Sequence, residues 1–435
     1  MVQWLVHKAK FLFSFAVINN LQGKFFIFFC IAAGIFLRLH WNGDMEWKAD
    51  EQWTYEKAVE TAATGKFPAA GMQSGGGLVN PGLSLGVFAV IASFTSDPLA
   101  MNRVVQIINI IALLCFTWFA LKKAGQGESQ VWLFGIALAA VSPLAVLFAR
   151  KIWAQDLLPL VSFLILLGNY NRGKNRGAFL WGISGALIGQ IHMSGFFFAA
   201  GIFVYTLLHD RYNRIKFKWV PWLAGSVLGS ITIVYWLTYM LNNPQFTRFN
   251  ILHLLQFNFY LYWFLDAHGL NIMYSIRREF WEFIKEPVIG GIPFYLIALA
   301  HLFLAVMGLF TLKKIAGYVK IFYSNLKQKT FTAFLFSNVS VTKFYLLAIL
   351  LGLGVFMNFS GFTVHPHYLI CAFPFVYIFI AKVFNEKTLW LKGIIIVQLF
   401  ITVIFQVYVH NNNGIKNGDY GVTYHEQINQ KSPIK

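Results

Sequence analysis

Residues 25–55 read FFIFFCIAAGIFLRLHWNGDMEWKADEQWTY. The first half is an apolar run that ends at Arg38, and the second half is acidic. Asp44, Glu46, Asp50, Glu51, Glu56 and Glu60 make six of the chain's seventeen acidic residues. An apolar run of roughly twenty residues is long enough, as a helix, to cross a hydrocarbon layer about 30 Å thick. Such runs recur along all 435 residues, of which 57% are hydrophobic and 12% charged. Soluble domains carry about 25% charged residues. The expected fold class is an all-α polytopic membrane protein, with no polar segment long enough to build a large soluble domain.

Eleven transmembrane helices are expected, over 25–41, 100–121, 131–148, 153–169, 178–192, 194–208, 219–241, 291–312, 342–359, 367–384 and 389–409. Basic loops mark the cytoplasmic side. They hold Lys8, Lys10 and Lys24, then Lys122 and Lys123, Arg172 to Arg176, Arg211 to Lys218, Lys313 to Lys343, and Lys382 to Lys392. The N-terminus is then cytoplasmic and the C-terminus outside. Segment 80–94, NPGLSLGVFAVIASF, is apolar but short. If it crossed, every later basic loop would change sides, so it is read as a re-entrant or interfacial helix. Irregular backbone at that depth is tolerated only when packed in protein or lining a cavity. Residues 1–24 read as a cytoplasmic interfacial helix, 25–409 as the bundle, and 410–435 as a short outer tail. The large outer loops are 42–100 and 242–290.

The net charge of +18 does not point to nucleic acid, because the basic residues sit in short clusters between apolar runs. Such clusters orient membrane helices and touch anionic headgroups of the surrounding lipids. Cys30, Cys115 and Cys371 all lie inside apolar runs and read as small core residues.

The outer loops gather the chemistry. In 50–65, Tyr55, Ala58, Val59, Ala62 and Ala63 share one helical face. Asp50 suits the N-cap, Glu51 the first turn and Gly65 the C-terminal stop. The structural reading makes this acidic pair a helix start. The functional reading makes it a carboxylate poised for proton transfer at the mouth of a bundle. Arg150 and Lys151, flanked by Trp153 and followed by Asp156, read either as snorkelling belt residues or as a phosphate clamp. Arg103 sits at the same level. His192 caps the turn of a short hairpin. Arg277 and Arg278 lie in the second large loop. His365 and His367 flank a proline, and Asp44 and Glu46 are two apart. Each of these two pairs is a weak cation motif, so a divalent cation is possible but not required, and no metal site is expected.

As an ordered set, FLRLHW, ADEQWTYEKAVETAATGKFP, SGGGLVNPG, DPLAMNR, SPLAVLFARKIWAQD and GALIGQIHMSG resemble the membrane-embedded GT-C glycosyltransferases. The likeness is to the group with protein O-mannosyltransferases and lipid A aminoarabinose transferases, glycosyltransferase family 39. It covers roughly residues 25–210. The later half matches only in hydropathy and in HPHYLICAFP. The resemblance implies inverting sugar transfer on the extracytoplasmic side of a bacterial inner membrane. The donor would be a polyprenyl-phosphate sugar and the acceptor a glycan, lipid or protein hydroxyl. It makes Asp50 the general base and Glu51 its neighbour, with Arg103, Arg150 and His192 near the donor phosphate and Lys151 beside them. Asp156, Arg277, Arg278, His365 and His367 are additional candidates. Many relatives carry a lysine near the position of His192. They also often carry a larger C-terminal domain, so acceptor choice here falls to 242–290 and the tail.

The alternative is a secondary transporter or lipid-linked sugar flippase. Transporters place charges at mid-membrane and often show internal repeats. Here charges avoid the expected span centres and no repeat relates the halves. The topology has a direct check: Pro98→Cys is expected to react with an impermeant thiol reagent added outside the cell. Labelling only from inside would make 80–94 a true crossing.

Overall fold

The computed structural model describes residues 23–74, 78–125, 127–244, 257–328 and 330–431. The expected 1–24 helix falls almost wholly outside these residues, as do 245–256 of the second loop. The described residues are mainly helical; their strands form three two-stranded antiparallel ribbons.

Each of the eleven expected segments overlaps a helix, but among the described residues fewer than eleven spans are long and apolar enough to cross a membrane. Four helices are long and apolar enough to cross a membrane: Pro98–Lys122, Leu296–Lys327, Val341–Asn358 and Thr388–Asn411. The number rises to seven if three bent pairs each count as one span. These are Ser129–Val141 with Pro143–Arg150, Trp219–Gly229 with Ile233–Asn242, and Pro366–Ala372 with Phe375–Val383. They bend by 62°, 58° and 81°. Such helices are compatible with an integral membrane protein.

Pro143 explains the first bend. Proline has no N–H to offer the carbonyl four residues earlier. That carbonyl, on Ala139, accepts instead from Arg38 Nη2 at 3.2 Å. Arg38 Nη1 donates to Ala140 at 2.6 Å, and Thr402 Oγ1 donates to Val141 at 2.6 Å. Arg38 is buried. The helix over 23–39 is thereby pinned to the break.

Beyond the bend, the chain runs to Arg150, which donates to Leu37 O at 3.2 Å and Trp41 O at 2.7 Å. These carbonyls lie where the first helix ends. Trp41 has φ of 45°, a backbone state that bulky residues rarely adopt. Its ring stacks on His410 with centroids 4.1 Å apart.

Helix direction then separates two ends of the bundle. Pro98–Lys122 starts beside Asn42, whose amide donates to Leu99 O, and finishes at Lys122. Tyr170 closes its helix on Lys123 O. Thr388–Asn411 starts next to Lys387 and finishes where His410 meets Asp44. Among the described residues, Lys122, Lys123 and Lys387 mark one end, and the acidic 44–60 segment marks the other.

The 80–94 segment forms a helix only over Leu83–Ala92, ten residues or about 15 Å. That is half the thickness of a hydrocarbon layer. It packs against the amphipathic helix Ala49–Thr64. This second helix ends on Gly65 at φ 65°, as expected. Its N-cap is Lys48, not Asp50. Asp50 lies one residue inside the helix and makes no capping hydrogen bond, because Glu51 accepts the Lys48 N–H at 3.2 Å. The buried face runs through Glu51, Thr54 and Ala58. Of the expected apolar stripe, only Ala58 is fully buried.

The second large loop departs from a simple outer loop. Asn258–Ala267 is drawn into the bundle. His268 Nε2 lies 2.9 Å from Thr311 Oγ1, near the middle of Leu296–Lys327. Ala267 O accepts from Gln398 near the middle of Thr388–Asn411. Asp266 accepts from the Tyr377 hydroxyl at 3.2 Å. An ionisable side chain, Asp266, therefore does reach the interior, on an apolar helix too short to stand out as a span.

Close helix approach is set by glycine at one crossing. A Cβ on Gly201 would lie 2.8 Å from the Gly352 carbonyl carbon. Gly201→Val is expected to cost about 1–3 kcal/mol and to lower the melting temperature in detergent. Gly173→Ala, where an added Cβ meets nothing within 4 Å, is the matched control and leaves it unchanged.

Candidate active site

A cavity of about 350 Å³ opens at the acidic end of the bundle. Asp50, Trp53 and Thr54 form one wall, from the Ala49–Thr64 helix. Met72 to Ser74 and Asn80 form a second, from the ribbon that pairs Ala70–Gln73 with Val79–Pro81. Trp153 to Gln155 supply the floor. His192, His365, His367 and Tyr368 close the far side, and Tyr274 and Asp419 the mouth.

Beneath Asp50 lies a buried ion cluster. Lys151 Nζ is 2.5 Å from Glu46 Oε2 and 3.9 Å from Glu51 Oε1. The same ammonium sits 3.9 Å from the centre of the Trp153 ring. Lys48 also pairs with Glu46, and its Nζ reaches Asp419 Oδ2 at 3.1 Å. Asp419 in turn pairs with Arg277 at 2.7 Å. Lys151, Glu46 and Glu51 are all buried. Desolvation penalises a buried charge, and here it is offset by pairing and hydrogen bonds.

The titration directions follow from this packing. Burial pushes the Glu51 carboxyl up to about 8, and the nearby Glu46 carboxylate adds to it. Burial also raises Asp50, and Lys48 and Lys151 oppose the rise. For Lys48, burial favours the neutral amine, but Glu46, Glu51 and Asp419 outweigh it and hold the ammonium charged. Burial lowers His365.

Asp50 and Glu51 therefore have different surroundings despite their adjacency. Glu51 faces the protein and is tied to the Lys48 N–H. Asp50 faces the cavity, and its carboxylate has no hydrogen bond or ion pair among the described residues. An aspartate held this way can accept a proton from a bound hydroxyl.

The other expected residues divide. His192, His365 and His367 line the same cavity as Asp50. His365 and His367 stack with centroids 5.5 Å apart, and His192 lies 6.2 Å from His367. His192 Nδ1 is 2.8 Å from Ser194 Oγ. Lys151 lies below the floor. Asp156 is buried near Lys151 and Glu51, and neither of its carboxylate oxygens has a hydrogen-bond partner. Arg277 reaches the rim through Asp419. Arg278 is exposed outside the cavity wall. Arg103 donates to Leu39 O and Gln106 and does not line the cavity. Arg150 is spent on the carbonyls at the end of the first helix.

Glu46 is engaged by two lysines and Asp44 by His410 at 2.8 Å. Among the described residues, no group of three or more His, Cys, Asp and Glu side chains could hold a metal ion.

Sequence reasoning missed Lys48, Tyr274 and Asp419. Asp419 arrives because the Gly414–Ile415 and Gly421–Val422 strands pair as a tight hairpin. Its N–H and that of Tyr420 donate to Ser275 O, and the Tyr424 N–H donates to Met45 O. The turn residues in NGDYG were a usable signal for the hairpin. Nothing local told where it would dock.

Compared with known proteins, the chain matches no family model, no curated protein and no solved structure.

The cluster makes a two-sided prediction. A glutamine is isosteric with a protonated glutamate. Glu51→Gln is expected to be more stable than the wild type at pH 7, because the glutamine folds without taking up a proton. Because the folded-state value is raised, ionising Glu51 opposes folding as pH rises from about 4.5 toward about 8, so the wild type loses ground to the variant across that window. Glu46→Gln strands Lys151 in the interior and is expected to cost about 3–5 kcal/mol. Thermal unfolding of both variants at pH 6 and 8 checks this; equal losses would disprove the assignment.

Proposed function

We propose that this chain is an inverting glycosyltransferase that moves a sugar from a polyprenyl-phosphate donor to a hydroxyl acceptor. The observation that carries the reading is Asp50, an uncommitted carboxylate on the wall of a polar and aromatic cavity large enough for a sugar. The sequence resemblance to GT-C transferases supports the same assignment. The bundle crosses the membrane eleven times in this reading, with the basic end in the cytoplasm and the cavity on the extracytoplasmic face of a bacterial inner membrane.

In the proposed step, the acceptor oxygen attacks the anomeric carbon as its proton passes to Asp50. The bond between that carbon and the phosphate oxygen breaks, and the polyprenyl phosphate leaves with the electron pair. Cationic groups stabilise the charge growing on the phosphate. Lys48 at the cavity wall and Arg277 at its rim suit this role better than Arg103 and Arg150, whose guanidinium groups serve backbone carbonyls. His192, His365 and His367 offer N–H donors to the same anion. The Trp53 and Trp153 rings offer faces to a sugar ring. The acceptor is a glycan, a lipid or a protein hydroxyl, and the scheme needs no metal.

Asp50→Asn is expected to lower transfer by about 10²–10⁴-fold while insertion and folding stay intact. Since burial raises Asp50, the acid side of the pH–activity profile is expected above the ordinary carboxylate range. Mass spectrometry of glycolipids and surface glycans would compare wild type, Asp50→Asn and a deletion. A polyprenyl-phosphate sugar accumulating equally in the last two, with one sugar missing from a glycan, supports the transferase. If Asp50→Asn behaves as wild type and deletion alters only the sidedness of a lipid, the flippase reading replaces it.

A further inference from the structure

A second cavity, of about 360 Å³, lies between Leu296–Lys327 and Thr388–Asn411. Its wall carries Lys313, Lys314 and Lys387 together with Phe310 and Trp390. No carboxylate lines it among the described residues, and none of the three lysines takes part in an ion pair there. Glu386, next in sequence to Lys387, is exposed and is not part of the wall.

Position gives this cavity its meaning. Thr388–Asn411 starts beside it and ends where His410 meets Asp44, at the other end of the bundle. Twenty-four helical residues span about 36 Å, slightly more than a hydrocarbon layer. The cavity therefore sits at the bilayer surface opposite the candidate active site. The lysines occupy headgroup depth. Phe310 and Trp390, with ring centroids 6.3 Å apart, stand on the hydrocarbon side of them. Exposed Leu309 and Leu389 continue the apolar surface along both helices.

We infer that this cavity holds one anionic phospholipid of the membrane, its phosphate among the three ammonium groups and its acyl chains along the apolar helix faces. Three unpaired lysines around one pocket match a phosphate-bearing headgroup, and basic pockets between membrane helices bind such lipids. The aromatic pair and the flanking leucines match the acyl chains, which free phosphate lacks. The inference does not depend on the transferase reading and survives its failure.

The test titrates the detergent-purified full chain with dioleoylphosphatidylglycerol or dioleoylphosphatidylcholine and counts bound lipid by native mass spectrometry. One phosphatidylglycerol is expected to bind more tightly than phosphatidylcholine. Replacing Lys313, Lys314 and Lys387 with glutamine is expected to weaken it by about fivefold per lysine. The matching arginine variant, K313R/K314R/K387R, keeps the charge and is expected to keep the lipid. K174Q/K216Q/K218Q removes equal charge from the same end of the bundle and is expected to change nothing. Equal loss in that control would mean diffuse attraction and overturn the site. Equal binding of the two lipids would reduce it to an apolar groove. Displacement by inorganic phosphate would make it a free-anion site. Each of these three results rejects the proposal.

Discussion

Arg38 holds the break at Pro143, and the acidic end of the molecule is built outward from that contact. A broken helix in an apolar interior leaves carbonyls that water cannot reach, each costing several kcal/mol if unpaired. The guanidinium of Arg38 covers Ala139 and Ala140, and Thr402 covers Val141. With those carbonyls covered, the chain can turn by 62° and deliver two cations at once. Arg150 closes the end of the first helix. Lys151 goes under the cavity to hold Glu46 and stand near Glu51. One proline and one buried arginine thus set where the acidic loop can settle.

The cluster around Lys151 separates two neighbouring carboxylates by environment. Glu51 is held in the protein and Asp50 is presented to the cavity. The helix geometry enforces this, because successive residues differ by about 100° around the axis. A single turn of helix on a buried cationic platform gives one acid a structural position and the other an open one.

The apolar segments were legible because hydrophobic length is a local property, but their breaks were not, and three of the expected segments are bent helix pairs. The Gly65 stop and the hairpin turn at His192 were legible for the same reason. Acidic clustering drew attention to the Asp50–Glu51 pair, and only the resemblance preferred Asp50 within it. What sequence could not show was partnership. Arg150 and Lys151 are adjacent and chemically alike on paper, yet one serves carbonyls and the other carboxylates. The N-cap fell to Lys48 because Glu51, one turn in, competes for the helix start better than Asp50. Asn258–Ala267 enters the bundle although it is only ten residues long. Lys48 and Asp419 meet across more than 370 positions, and no periodicity carries that information.

The hairpin that brings Asp419 to the cavity follows every long helix of the bundle. Its docking partners, Met45, Lys48 and Ser275, come from far earlier in the chain. The rim of the cavity is therefore completed only after the Thr388–Asn411 helix has been inserted and its end released. During synthesis the acidic loop and its lysines stand without their last wall. A chain that stops short of Gly414 therefore presents an unfinished chamber.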